Sequence, residues 1–169
     1  AHPMGRRSPL AQQLGILTPN KETFTTNHRN LTPNIDAHQY TFLIHGMVDR
    51  PMTFTMADLR RLPMVSSTHY VACAGQSYLG LGARKNPGKT VDQTHGGAFC
   101  SDWTGVRLST ILDMVGVQKG ANWMVAESLD VKKHSMDIPV AKGLDDAILA
   151  YGQNGDLINP EQGYPLRLI

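Results

Sequence analysis

No run of apolar residues in this chain comes near the roughly 20 needed to cross a bilayer as a helix, which excludes a helical membrane span. Cysteine is scarce, with only Cys73 and Cys100 in 169 residues. A disulfide-dense scaffold is therefore excluded, although a single bridge between the two is not. The 7 histidines and 8 methionines carry no HxH, HExxH or CxxC spacing, so no metal cage built from protein ligands alone can be read. A net charge of +2, without a basic stripe interleaved with aromatics, argues against nucleic acid as a partner. The Gly/Lys/Pro stretch from Tyr78 to Asp92 lacks the GxxxxGK[ST] pattern of a nucleotide-binding loop. The twin Arg6-Arg7 is followed by no apolar segment, so the start is not an intact signal peptide, though it is compatible with a mature chain after export. Internal repeats and low-complexity tracts are also missing.

What is present is enough apolar residue, 41% of the chain, for one domain with a sizeable core. Residues 1–16 read as an irregular arm and residues 17–169 as the domain. Tyr40–Gly46 and Met52–Phe54 read as strands that pair through the turn at 47–51. Thr55, with Asp58 three residues on, is an N-cap for a short helix bearing Met56, Leu59 and Leu62. A strand leads to Cys73, and the glycine-rich stretch to Asp92 reads as a loop. Thr94–Val106 starts as a strand edge and ends in a turn. Leu108–Val115 places Leu108, Ile111, Leu112 and Val115 on one helical face. Trp123–Ala126 and 131–138 are extended, Pro139–Asp145 is a helical turn, and Asp146–Tyr151 runs into the turn Asn154-Gly155. Gly163–Ile169 is a strand that stops without a polar tail, which suggests a sheet cut short.

The residue with the most chemistry to offer is Cys73. The β-branched and aromatic run before it holds the backbone straight, and Ala74 and Gly75 after it leave room for a bulky group to approach. A thiol so placed is a nucleophile, a metal ligand, half of a disulfide or an inert core residue, and the local sequence leaves all four open. Trp103 and Tyr164 read as packing residues. His45, His69 and His95 read as satisfied polar groups in or near the core, with His95 the nearest of them to a site.

Taken together, Leu17–Asn20, Phe24–His28, Leu43–Pro51, Cys73–Ser77, His95-Gly96, Cys100–Ser109, Asp145–Gly155 and Gln162–Arg167 resemble, in order and spacing, the sulfite oxidase superfamily of molybdopterin oxidoreductases. The likeness is nearest to the molybdenum subunit of sulfane dehydrogenases. It implies a mostly-β, mixed α+β fold and a molybdenum–molybdopterin cofactor. Cys73 matches the thiolate that ligates molybdenum, a soft ligand suited to a thiophilic metal. Asn27, His28 and Asp130 match cofactor contacts. Gln162 and Arg167 match a cofactor-binding pair in which sulfite oxidases have His and Arg, and the planar guanidinium suits a phosphate. Without the resemblance, Arg167 would read as a snorkelling side chain, His28 as an exposed loop residue and Asp130 as a turn residue.

The resemblance further implies two-electron oxidation of a sulfur substrate, a sulfur-carrier protein as its bearer, and a c-type cytochrome as electron acceptor. A periplasmic location, after export with the cofactor bound, and an oligomeric full-length form come with it. Two positions depart from the family pattern: Thr26 and Tyr78 stand where sulfite oxidases place arginines toward the substrate. Losing both cations favours a sulfur atom carrying less charge than free sulfite. The family also continues past Leu168, so this chain is expected to hold its cofactor weakly by itself. A sulfite dehydrogenase, a catalytically inactive cofactor- or partner-binding module, and a small disulfide-stabilised exported protein are the alternative readings.

Overall fold

The computed structural model describes residues 5–26, 32–75, 88–129 and 133–169. Its central sheet is antiparallel and takes its shape from three strands: β3 (Met64–Ala72), β4 (Ala98–Arg107) and β7 (Ile148–Gln153). β8 (Asp156–Leu157) and β9 (Arg167–Leu168) lie along the free edge of β7. The hairpin turn between β7 and β8 is made by Asn154 and Gly155, at φ 51° and 82°, the left-handed pair that a two-residue hairpin favours. Two further hairpins stand apart from this sheet: β1 (Thr41–Ile44) with β2 (Met52–Thr55), and β5 (Trp123–Glu127) with β6 (Ser135–Pro139).

Four short α-helices complete the architecture among the described residues. α1 (Met56–Leu59) opens with the capping box expected from Thr55 and Asp58, each side chain bonding the other's backbone N–H. α2 (Val91–His95) is closed in the same way by Thr90 and Gln93. This helix, where a loop ran to Asp92 in the sequence reading, was signalled by the Thr90-x-x-Gln93 spacing. α3 (Leu108–Val115) buries all four of its predicted apolar residues and ends at Gly116, φ 70°. α4 (Val140–Asp145) follows Pro139.

A second correction concerns β4. Its sequence suggested a turn near Thr104-Gly105, yet the strand runs unbroken to Arg107, and the irregularity is a β-bulge against β7 between those residues. Gly105 is what permits it. A Cβ there would lie 2.1 Å from the Leu149 carbonyl oxygen and 2.6 Å from Ala150 Cα, both backbone atoms. Glycine inside a strand often marks such a close approach rather than an end.

Because side chains alternate across a strand, the sheet separates two cores. One face, with α1 and α3, packs Phe54, Leu59, Val106, Ile111, Val115 and Leu149. The other gathers Phe24, Phe99, Trp103, Ile148, Ala150 and Ile158. Residues 5–16 are irregular apart from a 3-10 turn at Leu10–Gln12, and they are tied to this second face. Arg6 and Thr25 exchange backbone bonds of 3.0 and 2.8 Å, and the Ser8 N–H donates to Gly96 O at 2.7 Å.

Candidate functional site

Cys73 sits one residue beyond β3, where its N–H donates to Gly97 O at 2.9 Å and so extends the β3–β4 ladder by one step. By alternation it shares a face with Val71, His69 and Val65, and it packs half-buried against the cluster around Phe99 and Trp103. Its neighbour strand segment is itself held from behind. Gly96 is pressed against Ser8 O and Asp92 O, at distances that no side chain could occupy. Asp92 accepts from Leu10 N–H at 3.0 Å. Cys100 pairs in register with Tyr70, not with the Cys73 end of the strand, and both thiols are free. The disulfide reading is thereby overturned: residues at those register positions lie several steps apart along the ladder.

Arg167 comes to the same face from the opposite edge of the sheet. It pairs with Ala150, and its guanidinium lies 5.1 Å from the centroid of the Trp103 ring, a cation–π distance. Nη1 donates to both the backbone oxygen and Oε1 of Gln162, each at 2.8 Å. Among the described residues no carboxylate pairs with it; the ion pairs found there are the exposed Arg61–Asp58 and Lys142–Asp146. Burial without such a partner pushes its pKa down to about 10, still charged at neutral pH. Gly163, at φ 108°, lies against the arginine stem, where a Cβ would come within 3.3 Å of Arg167 Cβ.

Gln162, 6% exposed, is bonded at both ends. Nε2 donates to Phe24 O over a short contact and to Thr23 Oγ1 at 3.3 Å. The Thr23 carbonyl is gripped in turn by Arg6, whose Nε and Nη2 donate to it at 3.2 and 3.0 Å. The segment so fixed ends at exposed Thr26, immediately before Asn27 and His28. Asn27, His28, Asp130 and Tyr78 lie outside the described residues.

Thus Cys73, the pair Gln162 and Arg167, and the segment leading to Asn27 share one face of one sheet, although they come from three distant parts of the chain; along that face Cys73 lies just past the Ala72–Ala98 end of the ladder and Arg167 level with Val65 and Gly105. Two further side chains on that face, Trp103 and His69, were not among the site residues that the sequence pointed to. Trp103, 0% exposed, is a packing residue as expected and also the platform for Arg167. His69 shares the Cys73 face, and its buried Nε2 has no hydrogen-bond partner among the described residues. Period-2 alternation through 69, 71 and 73 was signal enough to place it there. The expectation of satisfied core histidines is corrected for all three: His69 Nε2 is buried without a partner among the described residues, and His45 and His95 are exposed. His95 turns its Nδ1 to its neighbour Thr94 Oγ1 at 2.8 Å.

A family model described as the oxidoreductase molybdopterin binding domain matches residues 28–169. The chain belongs to that family. Its cofactor is molybdenum bound to molybdopterin, and the described residues suit such a group. A buried cation with no carboxylate opposite it among the described residues suits an anion, and the pterin carries a phosphate. Among the described residues no three His, Cys, Asp or Glu side chains gather as a metal site. A metal brought with its own sulfur ligands would need only the single thiolate that Cys73 can give.

Across 99% of its length the chain is 29% identical to a nitrate reductase [NADH] of Ulva prolifera and 31% identical to a nitrate reductase [NADPH] of Phytophthora infestans, covering 21% and 20% of those proteins. The crystal structure of the sulfane dehydrogenase SoxCD from Paracoccus pantotrophus superposes with a TM-score of 0.87 at 29% identity, over 99% of this chain and 43% of that one. The chain thus spans about a fifth of the length of these curated relatives. The mixed α+β, mostly-strand fold expected from the sequence is the one found.

Proposed function

We propose that this chain is the cofactor-holding part of a molybdenum enzyme that oxidises sulfane sulfur borne on a carrier protein. A c-type cytochrome takes the electrons, in the periplasm, and the full-length form is an oligomer. The observation that carries the reading is the sheet face shared by Cys73 and Arg167, a buried cation that meets no carboxylate among the described residues, together with the likeness to a sulfane dehydrogenase over nearly the whole chain.

In this reading Cys73 loses its proton and presents Sγ to the metal from a backbone fixed by Gly97. Arg167 anchors the phosphate, while Asn27, His28 and Asp130 contact the pterin. When bound, molybdenum supplies two-electron redox chemistry at sulfur. Phe24, Phe99 and Trp103 keep water from the underside of the site. Thr26, exposed and uncharged where sulfite oxidases place an arginine, favours a reacting sulfur of low charge over a free oxyanion.

The names of the curated relatives favour a second reading, nitrate reduction. Both are tested on the full-length gene product, purified from a host that makes the cofactor. Cytochrome c reduction by a persulfide-loaded carrier protein is expected, with free sulfite a poor substrate. Faster turnover of sulfite would assign a sulfite dehydrogenase, and nitrate-dependent oxidation of a reduced dye would assign the second reading. Protein free of both molybdenum and pterin would leave only a non-catalytic binding module.

A further inference from the structure

We infer that Gln162 does not itself bind the cofactor's phosphate but is a positioning residue: it locks Arg167 to the backbone at Phe24, and as a neutral amide it leaves the guanidinium charge free for an anion. This rests on the reading of Arg167 as the phosphate anchor.

The inference follows from counting hydrogen-bonding capacity. A glutamine amide has two N–H donors and an oxygen with two lone pairs. Both donors are committed, to Phe24 O and Thr23 Oγ1. The oxygen accepts from Arg167 Nη1, with the Gln162 main-chain carbonyl accepting from the same nitrogen. Buried at 6% exposure, the side chain has no donor left to offer a ligand. What it does have is reach between two parts of the site. One end holds the backbone at Thr23 and Phe24, which precedes Asn27 and His28 in sequence. The other end, with the Trp103 ring beneath, holds the guanidinium in one orientation.

The residue type matters as much as the place. A glutamate of the same shape would set a carboxylate against Arg167 and cancel the charge that the anion needs. It would also bring a second oxygen against the Phe24 carbonyl in place of a donor. Glutamine is the side chain of this size that can donate at one end, accept at the other and carry no charge.

The test uses four proteins: wild type, Gln162→Glu, Arg167→Met and the double variant. Each is purified as the full-length product. Pterin and molybdenum per chain are measured on the loaded protein. Binding of inorganic phosphate to cofactor-free protein is measured at constant ionic strength by isothermal titration calorimetry. Gln162→Glu is expected to weaken phosphate binding and lower pterin content about tenfold or more, the scale of one charge-assisted contact. In the Arg167→Met background the same substitution should have no further effect on phosphate binding.

A further loss of phosphate binding in the double variant would mean that Gln162 touches the anion itself and would overturn the inference, as would wild-type phosphate affinity in Gln162→Glu. Wild-type phosphate affinity and pterin content in Arg167→Met would instead remove the anchor reading beneath it. Gln162→Met, neutral and of similar shape, covers the case in which the glutamate does not fold. It should bind phosphate more tightly than Arg167→Met and less tightly than wild type, and equality with wild type would again overturn the inference.

Discussion

Replacing Gly105 by alanine should cost this protein far more than a single methyl group ordinarily does. The added Cβ would lie 2.1 Å from Leu149 O, 2.6 Å from Ala150 Cα and 2.7 Å from Leu149 C, whereas real Cβ contacts essentially never fall below 3.0 Å. Relief requires β4 and β7 to part by about 0.9 Å, and since all three atoms are backbone, no rotamer change can supply it. Overpacking of this kind costs roughly 1–3 kcal/mol, with weakened ladder bonds adding to it, so a loss of about 3 kcal/mol is expected. For a chain of this size that is a fall of about 6–12 °C in Tm.

The damage should reach the site, because Gly105 opposes Ala150 and Ala150 pairs with Arg167 on the next strand. Urea unfolding followed by far-ultraviolet circular dichroism measures the loss. Gly15→Ala serves as the comparison: Gly15 has a left-handed φ of 94°, which Gly105 does not share, and no atom within 4 Å of a built Cβ, so backbone strain without a clash should cost it only about 1–2 kcal/mol. A Gly105→Ala protein within about 0.5 kcal/mol of wild type would refute the close-approach account of the bulge, since that is the range of an ordinary surface change.

Cys73→Ser should bring molybdenum content to background while shifting the unfolding midpoint little, because the Cys73 backbone bond to Gly97 survives the change; wild-type metal content would sink the ligand assignment. Ile111→Ala empties a site of 0% exposure and should cost about 2–5 kcal/mol in urea unfolding. Asp58 is held below the usual carboxylate range, first by the Thr55 side-chain hydrogen bond and then by the Thr55 backbone N–H. Its contribution is present above the unfolded pKa and lost as pH falls through the lower folded value. Wild type should therefore exceed Asp58→Asn in stability at neutral pH, and the gap should close as pH falls below about 4.

How far the sequence could be read depended on how local each cause was. The helix at Leu108–Val115 and the capping box of Thr55 and Asp58 were legible because both need only residues within a turn or two of one another. The box at Thr90 and Gln93 was equally local and was hidden only by the glycine-rich stretch before it. Alternation could place His69 beside Cys73, yet it could not say that His95 would be exposed, since that depends on how Ser8 and Leu10 pack behind the helix. The bulge at Gly105 resembled a turn because a glycine permits both, and only the partner strand decides between them.

By itself, then, the order of residues determined the capped and amphipathic helices, most of the strands and the fold class, and it named Cys73 and Arg167 as candidates for a thiophilic metal and a phosphate. Tertiary structure alone decided that Gln162 spends its amide on Phe24 and Arg167, that Trp103 lies beneath the guanidinium, and that Arg167 meets no carboxylate among the described residues. The physical reason is range. Helix caps and strand alternation are set by neighbours a few residues away, whereas a buried amide joining residues 138 apart in sequence depends on the packing of the whole sheet.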